Sequence, residues 1–173
     1  MNFKKATKPE LIVTSCVLLW IFIVNVACVM FGIVSWPMFF VTIIFFLLGM
    51  DQKNILSIFC GGALGLVLAL LLALGLGVFG AGLGSFAILI FIELAIIILG
   101  GTVAPVCCNN IAFAYLTAAT INLGTSANPI GDMLNNLLVF IVGGAIILAG
   151  SLFALKIGMK IVTPKAPAAQ EQK

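Results

Sequence analysis

The sequence predicts an all-α integral membrane protein with six transmembrane helices, arranged as an inverted 3+3 repeat. Composition is the first reason, because 64% of the 173 residues are hydrophobic and only 8% are charged. The mean hydropathy is +1.36, and uncharged apolar runs of about 20 residues are long enough to cross the hydrocarbon core of a bilayer. The chain also contains no histidine, which excludes histidine-based metal sites and nucleophile–histidine catalytic pairs.

The second reason is a pattern of one Thr, one Gly, one Asn and a Gly pair that occurs twice in the same order. In each copy, seven positions separate the Thr from the Gly, and seven separate the Asn from the Gly pair. Internal repeats of hydrophobic segments are typical of transport folds. The repeated positions are Thr42, Gly49, Asn54 and Gly61 in residues 11–74, and Thr117, Gly124, Asn136 and Gly143 in residues 85–155.

The third reason is the distribution of the lysines. With six spans, both chain ends and the turn at Lys53 lie on one side of the membrane, and all lysines are then on that side. The positive-inside rule makes that side cytoplasmic. If the short second and fifth segments only dipped into the membrane, Lys53 would move to the opposite side. In the six-span arrangement each half has three spans. Because three is an odd number, the two halves are inserted in opposite directions.

Three regions follow from this topology. Residues 1–10 are predicted as a cytoplasmic N-terminal segment, residues 11–160 as the transmembrane domain, and residues 161–173 as a disordered cytoplasmic tail rich in Pro, Ala and Gln.

The first predicted span covers residues 11–34 and carries a stripe of small and polar residues that includes Asn25. A helix places these residues on one side. Asn25 either forms a hydrogen bond to a neighbouring helix or lines a cavity.

The next two spans are unequal in length. The second, residues 37–49, contains Thr42 and reaches only about 20 Å at 1.5 Å per residue. Short spans in paired positions point to a binding site. The third span, residues 54–74, contains Gly61 and Gly65 at a spacing that favours close helix packing. Residues 75–84 contain five glycines and are predicted to be a flexible external connection.

The fourth span, residues 85–100, contains Glu93, the only charged residue between Lys53 and Asp132. A carboxyl group at membrane depth is costly and is often functional. Glu93 is therefore a candidate for contact with a solute or cation, or for accepting a proton. The alternative is a protonated glutamic acid that hydrogen-bonds to a Thr or Asn of a neighbouring helix.

The fifth span, residues 105–124, is the most polar, and the sixth covers residues 133–155. Polar side chains along one helix face either line a water-filled path or bond to neighbouring helices. The candidates on the fifth span are Asn110, Tyr115, Thr117 and Thr120. The five cysteines include no C-x-x-C pair and are interpreted as small buried hydrophobic residues.

One stretch carries a resemblance to a known family. Residues 35–39, Ser-Trp-Pro-Met-Phe, are followed by Phe-Phe-Leu-Leu-Gly at 45–49 and then by a polar turn and a Gly-rich span. This layout resembles the YcdZ-like family of small bacterial inner-membrane proteins, a domain of unknown function. The resemblance covers about residues 19–154. It implies a bacterial inner-membrane location and no catalytic residues.

These features favour a membrane channel or facilitator for a small, mostly uncharged solute, because no cation is available within the spans to hold an anion. One alternative is a proton-coupled transporter that uses Glu93, and another is a non-transporting subunit that docks a partner protein. An enzyme is not expected, because Asp51, Glu93 and Asp132 fall in different segments without a paired base or nucleophile. The expected partners are membrane lipid, a small-molecule solute and further copies of the chain in a cyclic homo-oligomer, with no nucleic acid, metal or cofactor.

Overall fold

The computed structural model describes residues 7–80, 82–121, 123 and 126–163, and this part of the chain is helical with no strand. Four helices are long and apolar enough to cross a membrane, namely Lys8–Phe31, Gln52–Phe79, Leu83–Thr102 and Pro129–Val162. The chain is therefore a multi-pass membrane protein. The elements in order are α1 (Lys8–Phe31), α2 (Trp36–Leu47), a 3₁₀ turn (Gln52–Asn54), α3 (Ile55–Phe79), α4 (Leu83–Thr102), α5 (Asn110–Thr120), α6 (Pro129–Leu138), a π turn (Val139–Gly143) and α7 (Gly144–Val162).

The second and fifth helical segments are short, although only the second matches the length of its predicted span, residues 37–49. Helix α2 has 12 residues and α5 has 11, so that each covers less than about 20 Å at 1.5 Å per residue. By contrast, the π turn joins α6 and α7 into one helix of 34 residues. At about 51 Å, this helix is longer than the hydrocarbon core requires.

Local sequence signals set several helix ends. Thr7 and Glu10 form a capping box at the start of α1, and Asn109 caps the start of α5. The chain reverses after α2 through Gly49, whose φ of +74° favours glycine because it lacks a Cβ atom. The Asn54 amide then donates to the Leu48 carbonyl at 3.4 Å, which ties the turn to the end of α2.

The two halves of the chain pack reciprocally. The last helix of the first half, α3, packs against α4 and α5 of the second half, whereas α7 packs against α1 and α2 of the first. The interface of α1 with α7 is close, because a Cβ atom on Gly158 would lie 2.8 Å from Cα of Val13. In the same interface, the Trp20 indole donates to the Ile147 carbonyl at 3.1 Å.

Glycines allow the closest approach where α3 meets α5 and the final helix. A Cβ atom on Gly62 would overlap the Phe140 ring and lie 2.9 Å from a ring carbon of Tyr115. On the other half, a Cβ atom on Gly144 would lie 2.9 Å from a methyl group of Val41. Also in α3, Gly65 packs against the α5 backbone. This confirms the close packing that the spacing of Gly61 and Gly65 predicts.

The prediction of a flexible connection at residues 75–84 is wrong. Helix α3 continues through Phe79, and α4 begins at Leu83. In lipid, an unpaired backbone N–H or C=O group costs several kcal/mol, whereas a glycine within a helix costs about 1 kcal/mol. The helix therefore continues through Gly75 and Gly77 and ends only at Gly80, which has a φ of +71°.

Other boundaries also differ from the predicted spans. Residues 103–109 form turns rather than the first part of the fifth span, and Pro129 starts α6 four residues before the predicted sixth span. Both shifts follow from capping, because Asn109 and Asn128 accept hydrogen bonds from backbone N–H groups of the helices that follow them. Residue Gly124 and most of the predicted tail, residues 164–173, lie outside the described residues.

Candidate functional site

A cavity of about 450 Å³ lies between α4 and α5. At one end of the cavity, Gly100 of α4 packs against the Cys108 carbonyl in the turn before α5. Helix α4 packs against α3 on its other side, where the Ile88 side chain would lie 3.6 Å from a Cβ atom on Gly75. The result is an open groove between α4 and α5. The cavity is lined by Ile96, Ile97, Gly100, Gly101, Pro105, Cys108, Asn109, Asn110 and Phe113.

The amide of Asn109 fixes one end of this groove. Its Oδ1 atom accepts from the N–H groups of Ile111 at 2.9 Å and Ala112 at 3.2 Å. Its Nδ2 atom donates to the Ser57 hydroxyl at 2.9 Å and to the Val106 carbonyl at 2.7 Å. These bonds attach the start of α5 to α3. The hydrogen-bonding groups of Asn109 are thus used to position the helix, whereas the adjacent Asn110 is exposed and borders the cavity.

Glu93 lies on the same side of α4 as the cavity. It is half-buried, and it precedes the cavity-lining Ile96 and Ile97 by three and four positions, which is one helical turn. On α5, Thr117 follows the cavity-lining Phe113 by four positions and therefore lies one turn further along the same side. We name this surface the α4/α5 groove. It comprises Glu93, Ile97 and Gly100 on α4, and Asn110, Phe113, Thr117 and Thr120 on α5.

Of the seven candidate lining residues, Asn110 lines the cavity, and Glu93, Thr117 and Thr120 lie beyond it on the same sides of α4 and α5 by helical spacing. Both threonine hydroxyls donate to the backbone of their own helix. Thr117 donates to the Phe113 carbonyl at 2.9 Å, and Thr120 donates to the Thr117 carbonyl at 2.8 Å. Each hydroxyl oxygen still has lone pairs that can accept a hydrogen bond from a solute.

The other three candidates lie elsewhere. Asn25 is exposed on α1, where its Oδ1 atom accepts from the Ser35 hydroxyl at 3.5 Å. Thr42 is buried at the side of an apolar groove between α1 and α2. Within the described residues, the Thr42 hydroxyl has no hydrogen-bond partner.

Tyr115 is completely buried. Its hydroxyl donates to the Pro37 carbonyl at 2.8 Å, which connects the middle of α5 to the start of α2. The Tyr115 ring lies 4.8 Å from the Phe140 ring, 5.5 Å from Phe40 and 6.1 Å from Trp36, measured between centroids. The core around Tyr115 is thus filled by an aromatic cluster, and Tyr115 does not border the α4/α5 groove.

Sequence reasoning missed a second cavity, of about 170 Å³, near the start of α6. The Ser126 hydroxyl hydrogen-bonds to the Asp132 carboxylate at its edge, and Asn136 is buried against it. The adjacent pair of asparagines in an otherwise apolar span was the available signal. The lining residues are Val34, Trp36, Ala118, Ala119, Ser126, Asp132, Met133, Asn135 and Asn136.

The residues that recur in the two sequence repeats do not all have matching environments. The repeated glycines both allow close helix packing, whereas the repeated threonines differ in burial. Gly61 lies against the Asn109 amide, and Gly143 lies against the Met38 side chain. Both glycines therefore let a short helix of the other half approach. The repeated threonines differ, because Thr42 is buried and Thr117 is exposed.

Among residues 7–80, 82–121, 123 and 126–163, no three His, Cys, Asp or Glu side chains converge in a way that could hold a metal ion. No protein-family model, curated protein or solved structure matches this chain. The relation to the YcdZ-like family therefore stays a prediction from the Ser35-Trp36 stretch. The geometry of the site itself has to support any assignment of function.

Proposed function

We propose that this protein is a channel or facilitator for a small, mostly uncharged solute, and that the solute moves along the α4/α5 groove. The observation that carries this proposal is the cavity of about 450 Å³ between α4 and α5. Glu93 and Thr117 lie one helical turn beyond its lining residues, on the same sides of their helices. The aromatic cluster around Tyr115 fills the core, which favours a path along the outside of α5.

The chemistry of the α4/α5 groove favours a neutral solute. Its polar groups are the Asn110 amide, two threonine hydroxyls and the Glu93 carboxyl group. The described lysines, Lys8, Lys53, Lys156 and Lys160, lie near helix ends or in the turn before α3, so none is available beside the groove to bind an anion. Amides and hydroxyls both donate and accept hydrogen bonds, which suits a small neutral molecule with polar groups of its own.

The six-span, inverted-repeat topology is part of the same proposal. Each half has a long helix, a short helix and a second long helix, and the last helix of each half packs on the first two helices of the other. This exchange is what a pseudo-twofold axis in the membrane plane produces. The lysine distribution favours cytoplasmic termini, and the YcdZ-like resemblance favours the bacterial inner membrane.

A homo-oligomer with cyclic symmetry fits this arrangement. The outer face of α4 is apolar and exposed, with Phe91 73% and Ile98 63% accessible. The α4/α5 groove opens on the outside of the protomer, so a neighbouring copy or lipid closes it. A solute path at such a position is protected from lipid when another copy provides the missing wall.

Stopped-flow osmotic swelling of proteoliposomes against a panel of small neutral solutes tests the proposal. Asn110→Leu and Thr117→Val should slow swelling, because both replace polar groove groups with apolar ones. Asn25→Leu makes the same kind of change on exposed α1 and should leave the swelling rate unchanged. No solute flux from protein shown to be folded would overturn the proposal and favour a partner-docking subunit.

A proton-coupled transporter is the second candidate, and the half-buried position of Glu93 on the groove favours it. Glu93→Gln separates the two candidates, since glutamine keeps the size of the side chain but cannot titrate. A channel should retain its flux in this variant and be indifferent to a pH gradient. A coupled transporter should depend on the gradient in the unmodified protein and lose accumulation of solute in Glu93→Gln.

A further inference from the structure

Two cysteines that are distant in sequence meet in the structure. Cys60 lies in the second turn of α3, and Cys107 lies in the turn between α4 and α5. The Cys60 thiol lies near the Cys107 thiol and, after burial, is the next cause that raises the pKa of Cys107. Both cysteines are free and half-buried, and neither lines the cavity between α4 and α5.

Hydrogen bonds on both sides of the pair hold it in place. The Ser57 hydroxyl donates to the Val106 carbonyl at 3.2 Å and accepts from Asn109 at 2.9 Å. One turn further along α3, a Cβ atom on Gly61 would lie 2.6 Å from the Asn109 amide oxygen. Ser57, Cys60 and Gly61 share one face of the helix. Cys60 therefore lies between two contacts that fix residues 106–109 on α3.

The neighbouring Cys108 is directed elsewhere. It is buried, it lines the cavity between α4 and α5, and its carbonyl packs against Gly100. The N–H groups of Cys107 and Cys108 donate to the Ala104 carbonyl at 3.1 Å and 2.8 Å, respectively. This turn presents Cys107 to α3 and Cys108 to α4, so that Cys60 is the better placed partner for Cys107.

We propose that Cys60 and Cys107 form a reversible redox site that closes to an intramolecular disulfide in the presence of a small-molecule disulfide oxidant. One thiolate attacks the oxidant and forms a mixed disulfide, which releases one small thiol. The other cysteine then attacks its partner's sulfur and releases the second small thiol. Two protein thiols are oxidised and one small disulfide is reduced to two thiols, so electrons and protons balance. The new bond covalently attaches the turn before α5 to α3.

Oxidation of the purified full-length protein by oxidised glutathione tests this site. After free thiols are alkylated, peptide mapping by mass spectrometry should find Cys60 linked to Cys107, and a reducing agent should reverse the link. Cys60→Ser and Cys107→Ser should each abolish the link. Cys108→Ser, which removes the sequence neighbour, should leave its yield unchanged.

Protein unfolded in SDS provides the control for the oxidant, because its cysteines pair without regard to the fold. The proposal is overturned if the SDS-unfolded protein forms disulfides while the folded protein stays reduced. It is equally overturned if Cys107 pairs with Cys108, or if the folded protein yields only glutathione adducts. The circular dichroism of each variant should match that of the parent, which shows that loss of the link does not reflect loss of the fold.

Discussion

The rings of Phe59 and Phe140 pack against each other with their centroids 5.4 Å apart, and each ring also covers a glycine of the opposite half. The Phe140 ring lies over Gly62 of α3, and the Phe59 ring lies over Gly144 of α7. Each long helix thus contributes one aromatic ring and one glycine to the crossing. Because the rings fill the space that the glycines leave open, this crossing fixes how closely the two halves approach.

Gly62→Leu should destabilise the protein. The added side chain overlaps the Phe140 and Tyr115 rings, and overpacking of a core costs about 1–3 kcal/mol. Thermal unfolding in detergent should show a lower midpoint. Gly77→Leu in the same helix is the matched control, because nothing lies within 4 Å of a Cβ atom there, and equal destabilisation by both would contradict the proposed crossing.

Asn109→Ala should loosen the start of α5. The substitution removes the cap of the helix, which costs about 0.5–2 kcal/mol, and it removes the bonds to Ser57 and Val106. Hydrogen exchange of the amides of Ile111 and Ala112 should become faster, while exchange in α1 should stay the same. Asn110→Ala is the neighbouring control, and it should leave exchange at Ile111 and Ala112 unchanged.

Tyr115→Phe should lower stability modestly. It removes only the hydroxyl that donates to the Pro37 carbonyl, and a buried hydrogen bond is worth about 1 kcal/mol. Tyr115→Ala also removes the ring from the aromatic cluster and should cost about 3–5 kcal/mol. Unfolding midpoints in the same detergent give both values. If Tyr115→Phe were as unstable as Tyr115→Ala, the ring would not contribute more to stability than the hydroxyl, contrary to this prediction.

Gly100→Val should push α4 away from the turn that precedes α5. Its side chain would overlap the Cys108 carbonyl, whereas a Cβ atom at Gly101 meets nothing within 4 Å. Maleimide labelling of the buried Cys108 should therefore become faster in Gly100→Val and stay slow in Gly101→Val. Similar labelling rates in the two variants would show that the contact between Gly100 and Cys108 does not set the position of α4.

Alkylation of Cys107 should depend strongly on pH. Burial, followed by the nearby Cys60 thiol, raises the pKa of the Cys107 thiol above its ordinary value of 9.0. Because only the thiolate reacts, labelling should be slow near neutral pH and should increase about tenfold per pH unit below the pKa. Cys60→Ala removes the second cause and should accelerate labelling at neutral pH. An unchanged rate in that variant would indicate that Cys60 does not influence Cys107.

The sequence alone predicts the all-helical membrane class, and the structure has four helices long and apolar enough to cross a membrane. Long apolar runs cannot leave their backbone groups unpaired in lipid, so the helices around Leu18 or Leu94 follow from composition. Boundaries near Gly75 and Pro105 were less accurate, because helix ends depend on capping contacts and on the cost of unpaired backbone groups. The polar side of α5 was also visible, since Asn110 and Thr117 lie two turns apart on one helix.

The environment of each candidate residue could not be predicted in the same way. Tyr115 and Thr117 are two positions apart, yet contact with α2 buries the first and leaves the second exposed. The proximity of Cys60 to Cys107 could not be predicted either, because it depends on how α3 packs against the turn before α5. Such contacts are set by tertiary packing between helices, which periodicity within one helix does not record.

The packing of each half's helices against the helices of the other half has a consequence for biosynthesis. As the chain leaves the ribosome, α1, α2 and α3 enter the membrane before the helices that cover them have been made. Helix α3 can pack against α5, and α1 against α7, only after these later helices have been made. We expect the first half to remain loosely assembled and open to chaperones or proteases until α5 and α7 have been made, and then to close in a single late step.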